Sequence, residues 1–91
     1  MRAFLIIGAA AAVFAGGSLA QASSLGRPCT NTPESQWLSK EALRAKAEAQ
    51  GFKVRKVKIE DACGEVYVLD QSDKKVELFV DPASGEIVAR K

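Results

Sequence analysis

Residues 63–80, "CGEVYVLDQSDKKVELFV", decide the fold, because two apolar segments there flank a short polar connection. Runs rich in valine, tyrosine and phenylalanine that are bounded by Asp, Ser and Lys are typical of β-strands joined by a hairpin. The connection "DQSDKK" is six residues long, within the usual range for a connection between neighbouring elements. We therefore predict two neighbouring antiparallel strands in this stretch.

A further strand is predicted upstream of this pair, in "FKVRKVKIE" (residues 52–60). Apolar and polar residues alternate along it, but the alternation changes parity at Arg55 and Lys56. A change of parity within a strand indicates an extra residue, so we predict a bulge or bend at this point.

A fourth strand is predicted downstream, in "EIVAR" (residues 86–90), after the connection "DPASGE". In that connection we expect a turn that begins at Asp81. Pro82 suits the first corner of a type I turn because its ring fixes φ, and Gly85 suits the left-handed position that follows.

Before the strands, "SKEALRAKAEAQG" (residues 39–51) predicts an α-helix, with Ser39 as N-cap and Gly51 as the left-handed stop. Helical spacing places apolar residues in two rows: Leu38, Ala42, Ala45 and Ala49, and the shorter row of Leu43 and Ala47. Lys46 falls between the rows. Either its aliphatic stem lies at the edge of the interface or it is a buried partner of a sheet carboxylate.

One helix followed by strands joined by hairpins predicts an α+β domain, in which an N-terminal helix packs on an antiparallel sheet of about three to four strands. The helix covers one face only. The other face keeps Phe79 and one of two pairs, Tyr67 with Leu69 or Val66 with Val68. Either Trp37 and the preceding arm fold over this face, or it is a contact surface for another protein or a second copy. The candidate contact residues are Phe79, Tyr67 and Trp37.

The start of the chain, residues 1–22, is typical of a secretory signal peptide: one charge at Arg2, an apolar middle and small residues before the exit. We expect cleavage after Ala22, with Ala20 as the alternative. The apolar part is shorter than the ~20 residues of a spanning helix, so we expect no stable membrane anchor after leader removal. Residues 23–36 then form an extended polar arm, and residues 37–91 form the domain.

The sequence contains two cysteines, Cys29 and Cys63, and we expect an exported chain to pair them. A domain of about 70 residues is marginally stable on its core alone. The closed loop would contribute about 3–4 kcal/mol to the free energy of unfolding. We therefore predict that the disulfide has a structural role.

Several function classes lack the residues that they need. The chain has no histidine, so two cysteines fall short of a zinc site and a cysteine nucleophile lacks its usual base. The formal net charge is only +2 and the charges are interspersed, which argues against nucleic-acid binding. We predict no catalytic residues, no metal and no cofactor.

The order of the landmarks resembles the PepSY domain family, and in particular its small exported members with a single domain. The resemblance runs over about residues 29–90 and rests on "SQWLS", on the helix ending in "GF", on "EVYVLD" and, most specifically, on "VELFVDPASGEIV". The matching positions are structural: Gly51, Asp81, Pro82 and Gly85. The chain departs from the family at Gly64, where an aromatic neighbour of the cysteine is more usual, and this thins whatever surface that position contributes.

The family is associated with the propeptides of secreted peptidases. The resemblance therefore implies a periplasmic or secreted binding module that inhibits or modulates a peptidase, without activity of its own. The alternative is an envelope sensory or accessory domain that binds a small ligand or a cation. That alternative is motivated by the acidic residues Glu60, Asp61, Asp70 and Asp73. A homodimer is also compatible with the pattern.

Overall fold

The computed structural model describes residues 25–91. The predicted signal peptide, residues 1–22, lies outside the described residues. Within the described part of the chain, no helix is long and apolar enough to cross a bilayer.

An α-helix and a four-stranded antiparallel sheet form the framework of residues 25–91, which confirms the α+β prediction. The strands lie side by side in chain order, so hairpins connect them. A short 3-10 helix, Glu34–Gln36, interrupts the arm that we expected to be extended throughout. The main elements are α1 (Lys40–Ala49), β1 (Lys53–Glu60), β2 (Cys63–Leu69), β3 (Lys75–Val80) and β4 (Ile87–Arg90).

Helix α1 begins and ends as its sequence predicts. The Ala42 N–H donates to Ser39 Oγ at 3.0 Å, which satisfies one of the free N–H groups of the first turn. After the helix, Gly51 has a φ of +96°, a left-handed conformation that favours glycine.

Of the two apolar rows of α1, the shorter one faces the sheet. Leu43 and Ala47, the shorter apolar row, are buried, whereas Ala45 and Ala49 are exposed. The reason is the size of the side chains: burying one leucine stabilises the fold by about 2 kcal/mol, more than an alanine methyl contributes. The helix therefore directs Leu43 at the sheet and leaves most of the alanine row at the margin.

The core lies between α1 and one face of the sheet. Its fully buried members are apolar side chains from the helix and the two central strands: Leu43, Ala47, Val66, Val68, Leu78 and Val80. This packing decides between the two pairs left open by the sequence. Val66 and Val68 face the helix, so the opposite side of the sheet, called the second face below, keeps Tyr67 and Leu69 with Phe79.

The predicted bulge lies in β1. Val54 pairs with Val68 and Lys56 with Tyr67, so Arg55 is the extra residue. In a regular register without a bulge, Arg55 would pair with Tyr67, and Lys56 would pair with Val66. Lys56 would then point at the helix, since neighbouring residues of a strand face opposite sides. The bulge instead lets Val57 pair with Val66, which keeps the apolar side of β1 on the core.

The β3–β4 turn also follows the prediction. Asp81 Oδ1 accepts hydrogen bonds from the Ala83 N–H at 2.8 Å and from the Ser84 N–H at 3.3 Å. Gly85 has a φ of +83°, and the carbons of the Lys46 stem occupy the space where a side chain would begin. Lys46 is exposed and is not a buried partner of a sheet carboxylate. Its aliphatic stem lies at the edge of the interface, which is the first of the two interpretations given above.

Gly64 lies on the core side of β2 and not on a surface, which corrects the expectation drawn from the family pattern. A Cβ at this position would stand 2.6 Å from Val80 Cγ2 and 3.3 Å from Leu43 Cδ1. The missing side chain therefore allows α1 and the end of β3 to approach β2 closely.

Candidate functional site

The second face is the candidate site, because the helix leaves it uncovered. Strand register assigns its side chains, since residues that pair across neighbouring strands point to the same side. Its paired positions are Lys56 with Tyr67, Lys58 with Glu65, Glu60 with Cys63, Glu65 with Phe79, Tyr67 with Glu77, and Leu69 with Lys75.

The arm crosses one end of this face. A disulfide joins Cys29 to Cys63, which confirms the predicted pairing, and Cys63 lies on the second face. The Cys29 N–H donates to the Ala62 carbonyl at 3.1 Å, and nine residues later the Leu38 N–H donates to the Pro82 carbonyl at 2.8 Å. The chain between these two anchors thus passes from the β1–β2 turn to the β3–β4 turn. We call this the arm end, and the opposite end of the face the open end.

The side chains at the arm end are buried. Phe79 is 1% exposed and Glu65 is 2% exposed. The prediction of Phe79 as a contact residue is therefore wrong, because the chain closes over this end of the face. Trp37 is half-buried within the crossing segment, where its indole N–H donates to the Thr32 carbonyl at 2.8 Å. Tyr67, further along β2, is also half-buried and borders the open end.

Glu65 is an unusual residue to find inside so small a domain. The Tyr67 hydroxyl donates to its Oε1 at 3.2 Å, while the buried Oε2 has no hydrogen-bond partner. Burial raises the pKa of Glu65 above its ordinary value, and the nearby charge of Glu60 adds to the shift. The sequence pattern did not single out Glu65 as a site residue, although its position in an apolar strand, two residues before Tyr67, is a usable signal.

The Tyr67 hydroxyl links the two ends of the face. Burial, followed by the negative charges of Glu77 and Glu65, raises the pKa of Tyr67 to about 12. A phenol with so high a pKa stays protonated at physiological pH. It therefore donates its proton in a hydrogen bond to Glu65, beside the negative charge of Glu77, and does not act as a proton carrier.

The open end forms a shallow groove of about 400 Å³. Tyr67 and Leu69 are the half-buried apolar side chains that the second face contributes to it. Its charged lining consists of three cations and one carboxylate: Arg55, Lys75, Lys91 and Glu77. These cations come from a bulge, from the start of a strand and from the residue after β4. No local sequence pattern therefore predicts that they lie around one groove.

Three of the four acidic residues that motivated a cation site bond to other groups of the domain. Asp70 accepts hydrogen bonds from the backbone N–H groups of Lys74 and Ser72, and the first of these is the main reason for its lowered pKa. Asp73 pairs with Lys53 at 3.0 Å, and Glu60 pairs with Lys58 at 3.4 Å. Within residues 25–91, no group of three or more potential ligands could hold a metal ion.

This arrangement is suited to binding. A disulfide fixes the arm over one end of the sheet, and the other end offers an apolar floor with charged side chains around it. Comparison with known families matches residues 4–91 to the peptidase propeptide and YPEB domain family.

The chain therefore belongs to the PepSY family, whose domains are associated with propeptide and inhibitor-like roles. Comparisons with curated proteins and with solved structures found no match.

Proposed function

We propose that this protein is an exported, non-catalytic binding module that inhibits or modulates a secreted or periplasmic peptidase. The observation that carries the proposal is the second face: one end is closed by a tethered arm, and the other end keeps an open groove. Membership of the PepSY family supports peptidases as the class of partner.

In such a function, the rigid second face of this protein would cover part of the partner's surface. Because hairpins connect the strands that line it, the groove is formed before any partner arrives. A preformed surface loses little conformational entropy on binding, which favours affinity even from a small contact area. No step in this function requires a nucleophile, a metal ion or a cofactor.

The test is inhibition of peptidases by the oxidised protein recovered from an oxidising host compartment. Hydrolysis of labelled casein by fractionated secreted and periplasmic peptidases of the source cell should fall as the protein is added, and should saturate at stoichiometric amounts. A Tyr67→Ala variant should inhibit less, while Lys40→Glu, an exposed change on α1, should inhibit as the parent does. Unchanged hydrolysis in every fraction would contradict the proposal.

A further inference from the structure

We propose that the groove at the open end binds an extended peptide segment in which a large apolar side chain is flanked by acidic ones. The proposal deepens the proposed function and rests on it only for the identity of the protein that carries the segment. Its basis is the combination of an apolar floor with an excess of positive charge around it.

The floor of the groove can hold an apolar side chain. Tyr67 and Leu69 stand two residues apart on β2, so both point into the second face. Both are half-buried and neither is covered by α1, which packs on the opposite side. A groove of about 400 Å³ admits one or two side chains of a linear segment rather than a folded surface.

The cations around the groove come from three different strands or their ends. The β1 bulge supplies Arg55 next to Lys56, and both lie opposite Tyr67. Lys75 is the first residue of β3. Lys91 is fixed beside that strand by two backbone hydrogen bonds with Glu77, at 2.9 and 3.1 Å.

These cations are not neutralised by the domain. Arg55, Lys75 and Lys91 are exposed, and none of the three makes an ion pair within residues 25–91. The one carboxylate in the lining, Glu77, interacts with the Tyr67 hydroxyl. The groove therefore presents more positive than negative charge, which complements carboxylates on an incoming segment.

A linear acidic segment fits this site better than an anionic membrane does. A bilayer presents a flat, continuous negative surface, which would meet the Glu77 carboxylate as well as the cations. A peptide can place its apolar side chain on Tyr67 and Leu69 and its carboxylates against the surrounding cations. Such a pairing of apolar and charged contacts gives both affinity and orientation.

The test measures fluorescence anisotropy of three labelled hexapeptides with the same Phe-Leu centre: Asp-Glu-Phe-Leu-Glu-Asp, its Asn/Gln counterpart and its Lys/Arg counterpart. The acidic peptide should bind the oxidised protein about tenfold more tightly than the neutral one, and added salt should reduce the difference. Arg55→Glu and Lys75→Glu should each weaken it by about tenfold. Lys40→Glu is the matched control and should stay within about twofold, with circular dichroism confirming that each variant is folded.

Several results would overturn the proposal. Equal affinity for the three peptides, or equal affinity of Lys75→Glu and the parent, removes the role of charge. Binding to phosphatidylglycerol vesicles but not to the acidic peptide, with the same variant dependence, assigns the cations to a membrane. A dimer that Lys75→Glu dissociates, with no peptide binding, assigns the groove to a second copy.

The two proposals fail separately. If Arg55→Glu and Lys75→Glu inhibit a peptidase as well as the parent does, the cations are not part of the contact: the peptide proposal falls and the proposed function stands. If the acidic peptide binds with the expected dependence on these variants but no peptidase is affected, the groove stands and the proposed function falls.

Discussion

At the scale of single residues, the buried pair of Glu65 and Tyr67 dominates the chemistry of the second face. The Glu65 carboxyl is 2% exposed and only one of its oxygens has a hydrogen-bond partner, so its ionisation lowers the stability of the fold. The Tyr67 phenol lies near two carboxylates, which oppose its ionisation. Both groups are therefore held in their neutral forms more strongly than in the unfolded chain. Each of these effects has a measurable consequence.

The first prediction concerns Tyr67, the only tyrosine in the sequence. The tyrosinate absorbance of the folded protein should rise with a midpoint near pH 12, against about 10 for the chain in denaturant. Because the folded pKa is the higher one, the contribution of Tyr67 to stability is full below pH 10 and is lost as pH rises toward 12. Glu77→Gln and Glu65→Gln should each lower the midpoint, because each removes a negative charge that raises this pKa. A folded-state midpoint near 10 would contradict this account of Tyr67.

The second prediction concerns Glu65, whose pKa is raised from 4.5 by burial and by the charge of Glu60. Below pH 4.5 the group is neutral in both states and carries no ionisation penalty; as pH rises, only the folded state resists ionisation, so stability falls. Glu65→Gln should therefore raise the free energy of unfolding near neutral pH, because glutamine cannot ionise.

The control for Glu65 is the same variant at low pH. Urea unfolding below pH 4.5 should show a much smaller gain or none, because the parent carboxyl is then protonated. Glu60→Gln should give a smaller gain at neutral pH, since it removes only the secondary cause of the shift. A gain that is independent of pH would show that ionisation of Glu65 is not the cause.

At the scale of elements, the close approach of α1 and β2 depends on one missing side chain. A Cβ at Gly64 would lie 2.6 Å from Val80 Cγ2 and 3.3 Å from Leu43 Cδ1. We predict that Gly64→Ala lowers the free energy of unfolding by about 1–3 kcal/mol, because these buried side chains must leave their preferred rotamers. The measurement is urea denaturation of the oxidised protein.

The cause of that loss can be tested with a second substitution. Val80→Ala creates space at the shorter contact, so Gly64→Ala should cost less in its presence than in the parent. The expected coupling is about 1 kcal/mol. Purely additive effects of the two substitutions would mean that the loss arises elsewhere, for example from the backbone of β2.

The elements themselves were largely predictable, because local signals mark them. Ser39, Gly51 and Gly85 sit at positions where a cap or a left-handed residue is needed, and the parity change at Arg55 marks the bulge. The rotation of α1 was not predictable from the spacing of its apolar residues. Two rows compete for the sheet, and their spacing does not choose between them; the larger Leu43 side chain does, because its burial stabilises the fold more than that of an alanine.

The candidate site was harder to predict, because it is assembled from parts distant in sequence. The two-sided apolar pattern of β2 and β3 indicated that a second face exists, but it left open whether Tyr67 with Leu69 or Val66 with Val68 lies on it. It did not reveal that the chain closes over Phe79, since this depends on where Cys29 and Leu38 are anchored. The cations of the groove, from Arg55 to Lys91, become neighbours only when the sheet forms.

At the scale of the whole molecule, the disulfide holds the arm and the sheet together. It links residues separated by 34 positions, and one half, Cys63, is fully buried on the second face. A small sheet with a single helix cannot bury both of its faces, so an arm fixed across one end supplies part of the missing cover. Loss of the bridge should therefore affect more than the entropy of the unfolded chain.

The final prediction is that replacing both cysteines by alanine weakens the fold in two ways. The free energy of unfolding should fall by about 3 kcal/mol because the unfolded chain regains the freedom of the opened loop. The arm end should also loosen, so emission from Trp37, the only tryptophan, should shift toward that of a water-exposed indole before global unfolding. The check is urea unfolding followed by both Trp37 fluorescence and circular dichroism. Two coincident transitions at the parent's midpoint would show that the arm stays in place without its covalent link, and that the hydrogen bonds at Ala62 and Pro82 suffice to close this end of the face.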